Sequence, residues 1–405
     1  MTGVVIVGAG QAGYKCAESL RSEGYGKPIT LIGAEKHFPY QRPPLSKAYM
    51  KGEMDAERLK FRADGYYADH DLKLVTGTKV TGIDKDARNV QLRGGKTLPY
   101  EYLVLACGSV LRKLSLAGAE LDGVCSLQSL EDAGRIAQKL SQTEDVVVIG
   151  AGFIGLEFAA VARSLGKKVT VLEAGTRVMA RAVSPGISAW YLDLHASKGV
   201  NIICNAVVQE IRGENGKVNA VSLADGTVYE AGLVIVGIGA NANTALAQEA
   251  GLTCKEGIVV DAHCRTSDKH ILAAGDCTRF VHPFNGQSLR LESVQNAIDQ
   301  ARTAASAITG KNIPYDVVPW FWSDQYEIKL QMVGLAQGCD DEILRGDMKS
   351  NAFSIYHYRG ENLRAIDCIN RPGEAILGRR LLGAGISPTK AQAADTGFNL
   401  KSLMA

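Results

Sequence analysis

Two sets of glycines, each followed by an acid, are the residues of this chain whose spacing most clearly implies chemistry. Gly8, Gly10 and Gly13 form a Gly-x-Gly-x-x-Gly turn, and Gly150, Gly152 and Gly155 repeat it. In such a turn the first glycine permits a tight bend. The second removes a Cβ so that a pyrophosphate can reach the backbone, and the third lets the next helix pack on its strand. That helix presents unpaired N–H groups and a positive dipole end to the phosphates. Glu35 and Glu173 follow at about 20 residues past the last glycine, where a carboxylate holds ribose hydroxyls. Two dinucleotide sites are expected. Glu173 would accept from a free 2′-hydroxyl and repel a 2′-phosphate, which favours NADH over NADPH. Arg177 and Arg181 lie nearby and could soften that preference.

The elements that must position these groups form an internal repeat. Val4-Val5-Ile6-Val7 and Val146-Val147-Val148-Ile149 are continuous β-branched runs, the pattern of strands buried on both faces. Helical segments follow at Tyr14–Glu23 and Glu157–Leu165, then second strands at Ile29–Gly33 and Val169–Leu172. Each half is a βαβ unit. Beyond the first, Pro43-Pro44 stiffens the chain, and Ser46 stands where it could cap a short helix.

Length and composition set the frame. At 405 residues the chain is expected to hold two or three domains. No apolar run approaches the roughly 18 residues of a membrane span. The first residues read as a buried strand rather than a signal peptide, so a cytoplasmic location is expected. A net charge of +2 gives no reason to expect a nucleic-acid partner. Nine cysteines stand singly with no Cys-x-x-Cys, which points away from zinc and disulfides and toward a reducing compartment.

The first unit, the string Arg42-Pro43-Pro44-Leu45-Ser46-Lys47 and the second unit together resemble the bacterial FAD-dependent NADH:ferredoxin reductases, which serve aromatic-ring dioxygenases and haem-thiolate monooxygenases. The resemblance covers essentially the whole chain. Tyr100–Ser109 looks like the crossing out of the FAD domain and Leu233–Gly239 like the return strand. Ala273-Ala274-Gly275-Asp276, Arg290–Ala297 and Pro319–Gln325 are similar to further segments of that family.

The resemblance implies FAD contacts from Ala12, Glu35, Arg42, Lys47, Val80, Ala106, Asp276 and Val294, besides Gly8, Gly10 and Gly13. It implies NADH contacts from Gly152, Ile154, Glu173 and Gly239, with Glu157 near the nicotinamide. The chain departs from the family pattern at Cys107, Ala242, Ala34 and Gln128-Ser129, where Thr, Pro, an acid and Arg-Thr are usual. The catalytic expectations are Lys47, Glu157, Trp320 and Trp322. Lys47 would stabilise negative charge on the reduced flavin, with Glu157 as its partner; alternatively Glu157 only complements a helix dipole. Trp320 and Trp322 either line the electron exit or are simple core. Arg371, Arg379, Arg380 and Lys390 are candidates for a basic docking patch.

Disulfide reductases of this architecture carry an early Cys-x4-Cys pair, and related oxidases carry one reactive cysteine in the loop that here reads Arg42–Lys47. No cysteine lies between Cys16 and Cys107. Without a thiol relay, electrons are expected to leave the flavin singly, to a small [2Fe-2S] ferredoxin. Two readings compete: an enzyme acting directly on oxygen or a small disulfide, and a flavin-bearing protein in which NADH binding changes shape or assembly. The expected fold is α/β, with two Rossmann-like dinucleotide-binding domains in a glutathione-reductase-like arrangement and a smaller α+β C-terminal domain. Expected boundaries are 1–107 with 235–313 for FAD, 108–234 for NAD, and 314–405 for the last domain.

Overall fold

The computed structural model describes residues 2–404. Two parallel five-stranded sheets dominate it. In the first, the strand order is Ile271–Ala273, Tyr102–Leu105, Val4–Val7, Ile29–Ile32, Leu72–Val75. In the second it is Asn201–Ile203, Lys168–Leu172, Asp145–Ile149, Leu233–Val236, Val124–Cys125. The β-branched runs at the centre of each are buried along their whole length, as strands covered on both faces must be. Each sheet has a three-stranded antiparallel companion, Val80–Asp84 to Thr97–Pro99 in one half and Val208–Glu214 to Val228–Glu230 in the other. The duplication therefore extends well beyond the glycine turns.

The helices start one turn earlier than hydrophobic patterning predicts, at Gln11–Ser22 and Phe153–Ser164. Gly10 and Gly152 are themselves the N-caps, so each third glycine lies inside the first helical turn. Ala297, Ala301 and Ala304 of helix Val294–Ile308 share a core with Ala12, Cys16 and Ala17 of the first helix. Side chains this small let two helices approach closely.

The chain passes between the two halves through a short antiparallel pair, Ser109–Leu111 against Ala240–Ala242. The expected 234/235 boundary cuts the strand Leu233–Val236, which pairs throughout with Val146–Ile149 of the second sheet. We propose the division at the two-stranded link instead. The last domain is a five-stranded antiparallel sheet running from Trp320–Gln325 to Asn362–Ile369, with helix Pro372–Gly383 on one face. Its other face places Phe353, Ile355 and Ile369 in one core with Ile187, Tyr191 and Leu194 of the second half. No helix among the described residues is long and apolar enough to cross a membrane.

Candidate active site

The two glycine turns are built alike and leave the same space. Gly8 and Gly150 have φ of +110° and +105°, and a Cβ on either would collide with a neighbouring carbonyl, at 2.0 Å and 2.5 Å. A Cβ on Gly13 or Gly155 would fall 1.8 Å and 2.1 Å from the carbonyl of the first glycine. Gly10 and Gly152 differ: a Cβ there would meet nothing within 4 Å. Packing thus requires the outer two glycines, whereas the middle one faces open space at a helix N-terminus. That space suits a pyrophosphate.

In the first half, Glu35 accepts from the Tyr40 hydroxyl at 2.6 Å and pairs with Arg42 at 2.5 Å. Arg42 also donates to the Gln128 carbonyl, and the Tyr40 oxygen accepts from the Leu130 N–H at 2.9 Å. The Gln128-Ser129 segment therefore joins this cleft through its backbone. Ala106 lies against the first glycine, its carbonyl facing Gly8, and Val80 is buried at the start of its strand. Asp276 follows Gly275, whose φ is +86°. The residue is partly exposed, though protein groups surround much of its carboxyl. Burial pushes it up to about 7, reinforced by Glu292 and opposed by Arg290 and Arg42. Val294 is the first residue of its helix, capped by Ser293 Oγ accepting from the Asn296 N–H.

In the second half, Glu173 accepts from the Ala151 and Gly175 N–H groups, each at 2.7 Å, which fixes its carboxylate beside the glycine turn. Arg177 donates to the Val183 and Ala180 carbonyls and is held against its own loop. Arg181 is exposed, and its guanidinium lies opposite Gly239, 3.3 Å from where a Cβ would be. Ile154 is a large apolar side chain at the start of its helix and is 48% exposed.

Glu157 stands where the halves meet. It is buried, and it lies in the second turn of its helix rather than the first, so the dipole role expected for a first-turn acid does not describe it. Its Oε2 accepts from Lys47 Nζ at 2.7 Å and Ser46 Oγ at 2.8 Å, and its Oε1 from Ser323 Oγ at 2.7 Å. A carboxylate removed from water in this way needs such partners for its oxygens. Ser46 caps no helix; it ends the 3-10 turn Pro43–Ser46 and turns inward to Glu157.

Comparison with known proteins accords with this geometry. Residues 2–301 match the family model described as pyridine nucleotide-disulphide oxidoreductase, and residues 320–404 match a reductase C-terminal model. The chain belongs to the pyridine nucleotide-disulphide oxidoreductase family. Rhodocoxin reductase of Rhodococcus erythropolis is 44% identical over 402 residues, covering 99% of this chain and 94% of the relative. Putidaredoxin reductase of Pseudomonas putida is 40% identical, covering 99% and 96%. Among solved structures, the ferredoxin reductase of the CYP199A2 system from Rhodopseudomonas palustris superposes with a TM-score of 0.98 at 43% identity over the whole of both chains. The covalent putidaredoxin reductase–putidaredoxin complex gives 0.97 at 40%, covering 100% of this chain and 98% of the other. This oxidoreductase therefore works with a flavin and a nicotinamide nucleotide.

The remaining residues expected from sequence lie in the C-terminal domain. In this pyridine nucleotide oxidoreductase Trp320 and Trp322 alternate along one strand, with ring centroids 5.1 Å apart, and both are partly exposed. Trp320 Nε1 donates to Gln295 Oε1 at 2.7 Å, tying the C-terminal sheet to the helix that begins at Val294. The Arg379 guanidinium lies 5.5 Å over the Trp320 ring. The four cations expected to form one patch differ: Arg371 pairs with Glu374, and Lys390 with Asp341 and Glu361, while Arg379 and Arg380 are exposed on one helix. Sequence reasoning did not single out Tyr40 or Ser323. Each reaches its site partner through the fold or a short loop, and neither carries a motif of its own.

Proposed function

We propose that this chain is an NADH:ferredoxin reductase: the first cleft would hold FAD and the second NADH, so that electrons from NADH would pass one at a time to a [2Fe-2S] ferredoxin. The ferredoxin would in turn feed a haem-thiolate monooxygenase or a ring-hydroxylating dioxygenase. When bound, the flavin supplies the chemistry of accepting two electrons together and giving them up singly.

The observation that carries this reading is the Lys47–Glu157 contact. It joins the first unit to the helix of the second glycine turn, so that two nucleotides in their cradles would meet beside it. Lys47 would place its ammonium next to the reduced ring, and Glu157, with Ser46 and Ser323, would hold that ammonium in position. Gly8, Gly10, Ala12, Gly13, Glu35, Arg42, Val80, Ala106, Asp276 and Val294 would hold FAD. Gly150, Gly152, Ile154, Gly155, Glu173 and Gly239 would hold NADH, with Glu173 selecting the free 2′-hydroxyl.

A one-electron acceptor fits the state of the sulfurs. Cys107 lies beside the first glycine turn, its backbone against Gly8. Its thiol faces the Val7 carbonyl, and burial pushes it well above the ordinary range, so it offers no thiolate to a substrate disulfide. Trp320 and Trp322 would lie on the exit side. Relatives matching over nearly full length are named rhodocoxin, putidaredoxin and ferredoxin reductases.

The reading is tested by anaerobic reduction with NADH, followed by mixing with oxidised ferredoxin, oxygen or a small disulfide in separate runs. Rapid oxidation by ferredoxin alone is expected. Faster oxidation by oxygen or the disulfide would replace this reading with a direct oxidase or disulfide reductase.

A further inference from the structure

Behind Glu157 a line of buried polar side chains runs along the seam between the C-terminal sheet and helix Pro185–Ser197 of the second half. Beyond Ser323, Gln325 Nε2 lies 3.3 Å from Ser323 Oγ, and His195 Nε2 lies 2.8 Å from Gln325 Oε1. Tyr326 OH, 3.4 Å from His195 Nδ1, ends the line at the turn of a hairpin. Ser323, Gln325 and His195 are each no more than 1% exposed, so bulk solvent cannot stand in for a missing partner.

The donors in this line can be arranged in two ways. A carboxylate only accepts, so Ser323 gives its proton to Glu157, and its oxygen accepts from the Gln325 amide NH2. The Gln325 carbonyl then faces His195, which must carry its proton on Nε2 and accept from Tyr326 at Nδ1. Turning the amide over reverses every role. Its oxygen would take the Ser323 proton, and Glu157 would lose a donor. The other neighbour of the amide nitrogen, Met179 Sδ at 3.9 Å, is too weak an acceptor to settle the matter.

We propose that His195 is a positioning residue: by donating to Gln325 it fixes which way that amide points, and so keeps the Ser323 hydroxyl aimed at the Glu157 carboxylate. The consequence for catalysis rests on the reading of Glu157 as the group that holds Lys47 beside the flavin. Burial pushes the His195 imidazole below its ordinary value, partly offset by the Gln325 bond, which matches a neutral ring. The charge on Glu157 and the tautomer of His195 are thereby linked through two uncharged side chains.

The test uses the full chain with flavin bound. Imidazole ¹⁵N resonances should show His195 neutral with its proton on Nε2. The carboxylate stretch of Glu157, isolated by difference against Glu157→Gln, should shift in His195→Phe and equally in Ser323→Ala. It should shift no further in the double variant, and it should return in His195→Gln, whose amide can donate again. Flavin reduction by NADH should slow on the order of tenfold in His195→Phe and Ser323→Ala, as for loss of one hydrogen bond to a charge. The NADH dissociation constant should stay within about twofold.

A proton on His195 Nδ1 in the parent, or a Glu157 stretch untouched by His195→Phe, overturns the proposal. If His195→Phe does not fold, Ser323→Ala decides. Loss of the Nε2 preference at His195 supports the link, and an unchanged tautomer overturns it. A stretch that moves while flavin reduction does not leaves the His195 inference standing and removes the reading of Glu157.

Discussion

The Lys47 ammonium meets the Glu157 carboxylate at 2.7 Å across 110 positions of sequence. One partner follows the first βαβ unit and the other lies in the helix of the second, so the contact exists only when the two halves dock with their clefts facing. It is both part of the site and the register of the assembly. Lys47 is 20% exposed and Glu157 6% in their side chains, so removing either leaves the other charge largely buried, at a cost of about 3–5 kcal/mol for a fully buried pair and less here.

The middle and last glycines of each turn should respond differently to one added methyl. Gly152→Ala is expected to fold and hold flavin but to bind NADH at least tenfold more weakly, because its Cβ would enter the open cradle. Gly155→Ala, which forces a Cβ to 2.1 Å from a carbonyl oxygen, should lower yield and melting temperature before any binding is measured. Thermal melts and NADH titrations check both.

Asp276 makes stability depend on pH once flavin is stripped away. Its folded value of about 7 lies above the ordinary 3.8, so the folded state binds more protons between those limits and loses stability as pH rises through them. Asp276→Asn should therefore stabilise flavin-free protein by about 2–4 kcal/mol at pH 8 and by little near pH 4. Denaturant melts at the two pH values give the difference.

A second buried group slopes the same way with pH for the opposite reason, because here the charged form is the favoured one. Burial pushes His357 down, but Asp367 at 3.0 Å, with Glu342 beyond, outweighs it and leaves the imidazole raised above 6.5. Its stabilisation is complete below 6.5 and fades as pH rises through the folded value. Asp367→Asn should cost about 3 kcal/mol at pH 6 and less at pH 9.

Docking should depend on the exposed pair Arg379 and Arg380 rather than on Arg371 or Lys390, which already have carboxylate partners. Reversing both charges is expected to raise the KM for an acidic ferredoxin about tenfold and to leave dye reduction by NADH unchanged. Steady-state assays across a salt series would show the loss of ionic-strength dependence.

The parts of the fold legible in sequence were those set by neighbouring residues. A glycine turn declares itself because its bend, cradle and helix start lie within six positions, and the β-branched strands before it are buried on both faces. Helix starts were misplaced by a turn because Gly10 and Gly152 carry no side chain to mark a cap. The proposed return crossing was hard to place because Leu233–Val236 looks the same whichever sheet receives it. The pairing of Lys47 with Glu157 was expected. Ser323 was not, since a serine in an aromatic strand shows nothing until a helix 166 positions away brings a carboxylate to it. Likewise Lys390 looked like a free cation until its two acids folded beside it.

The central claim is that electrons leave from the flavin with no sulfur between it and the acceptor. The direct measurement is a rapid-mixing titration with every accessible thiol alkylated beforehand. Protein reduced by one equivalent of NADH is mixed without oxygen with an excess of oxidised [2Fe-2S] ferredoxin. Two ferredoxins reduced per flavin, at a rate unchanged by alkylation, is the predicted result. Transfer abolished by alkylation, or a reduced flavin that the iron–sulfur protein leaves untouched, would contradict it.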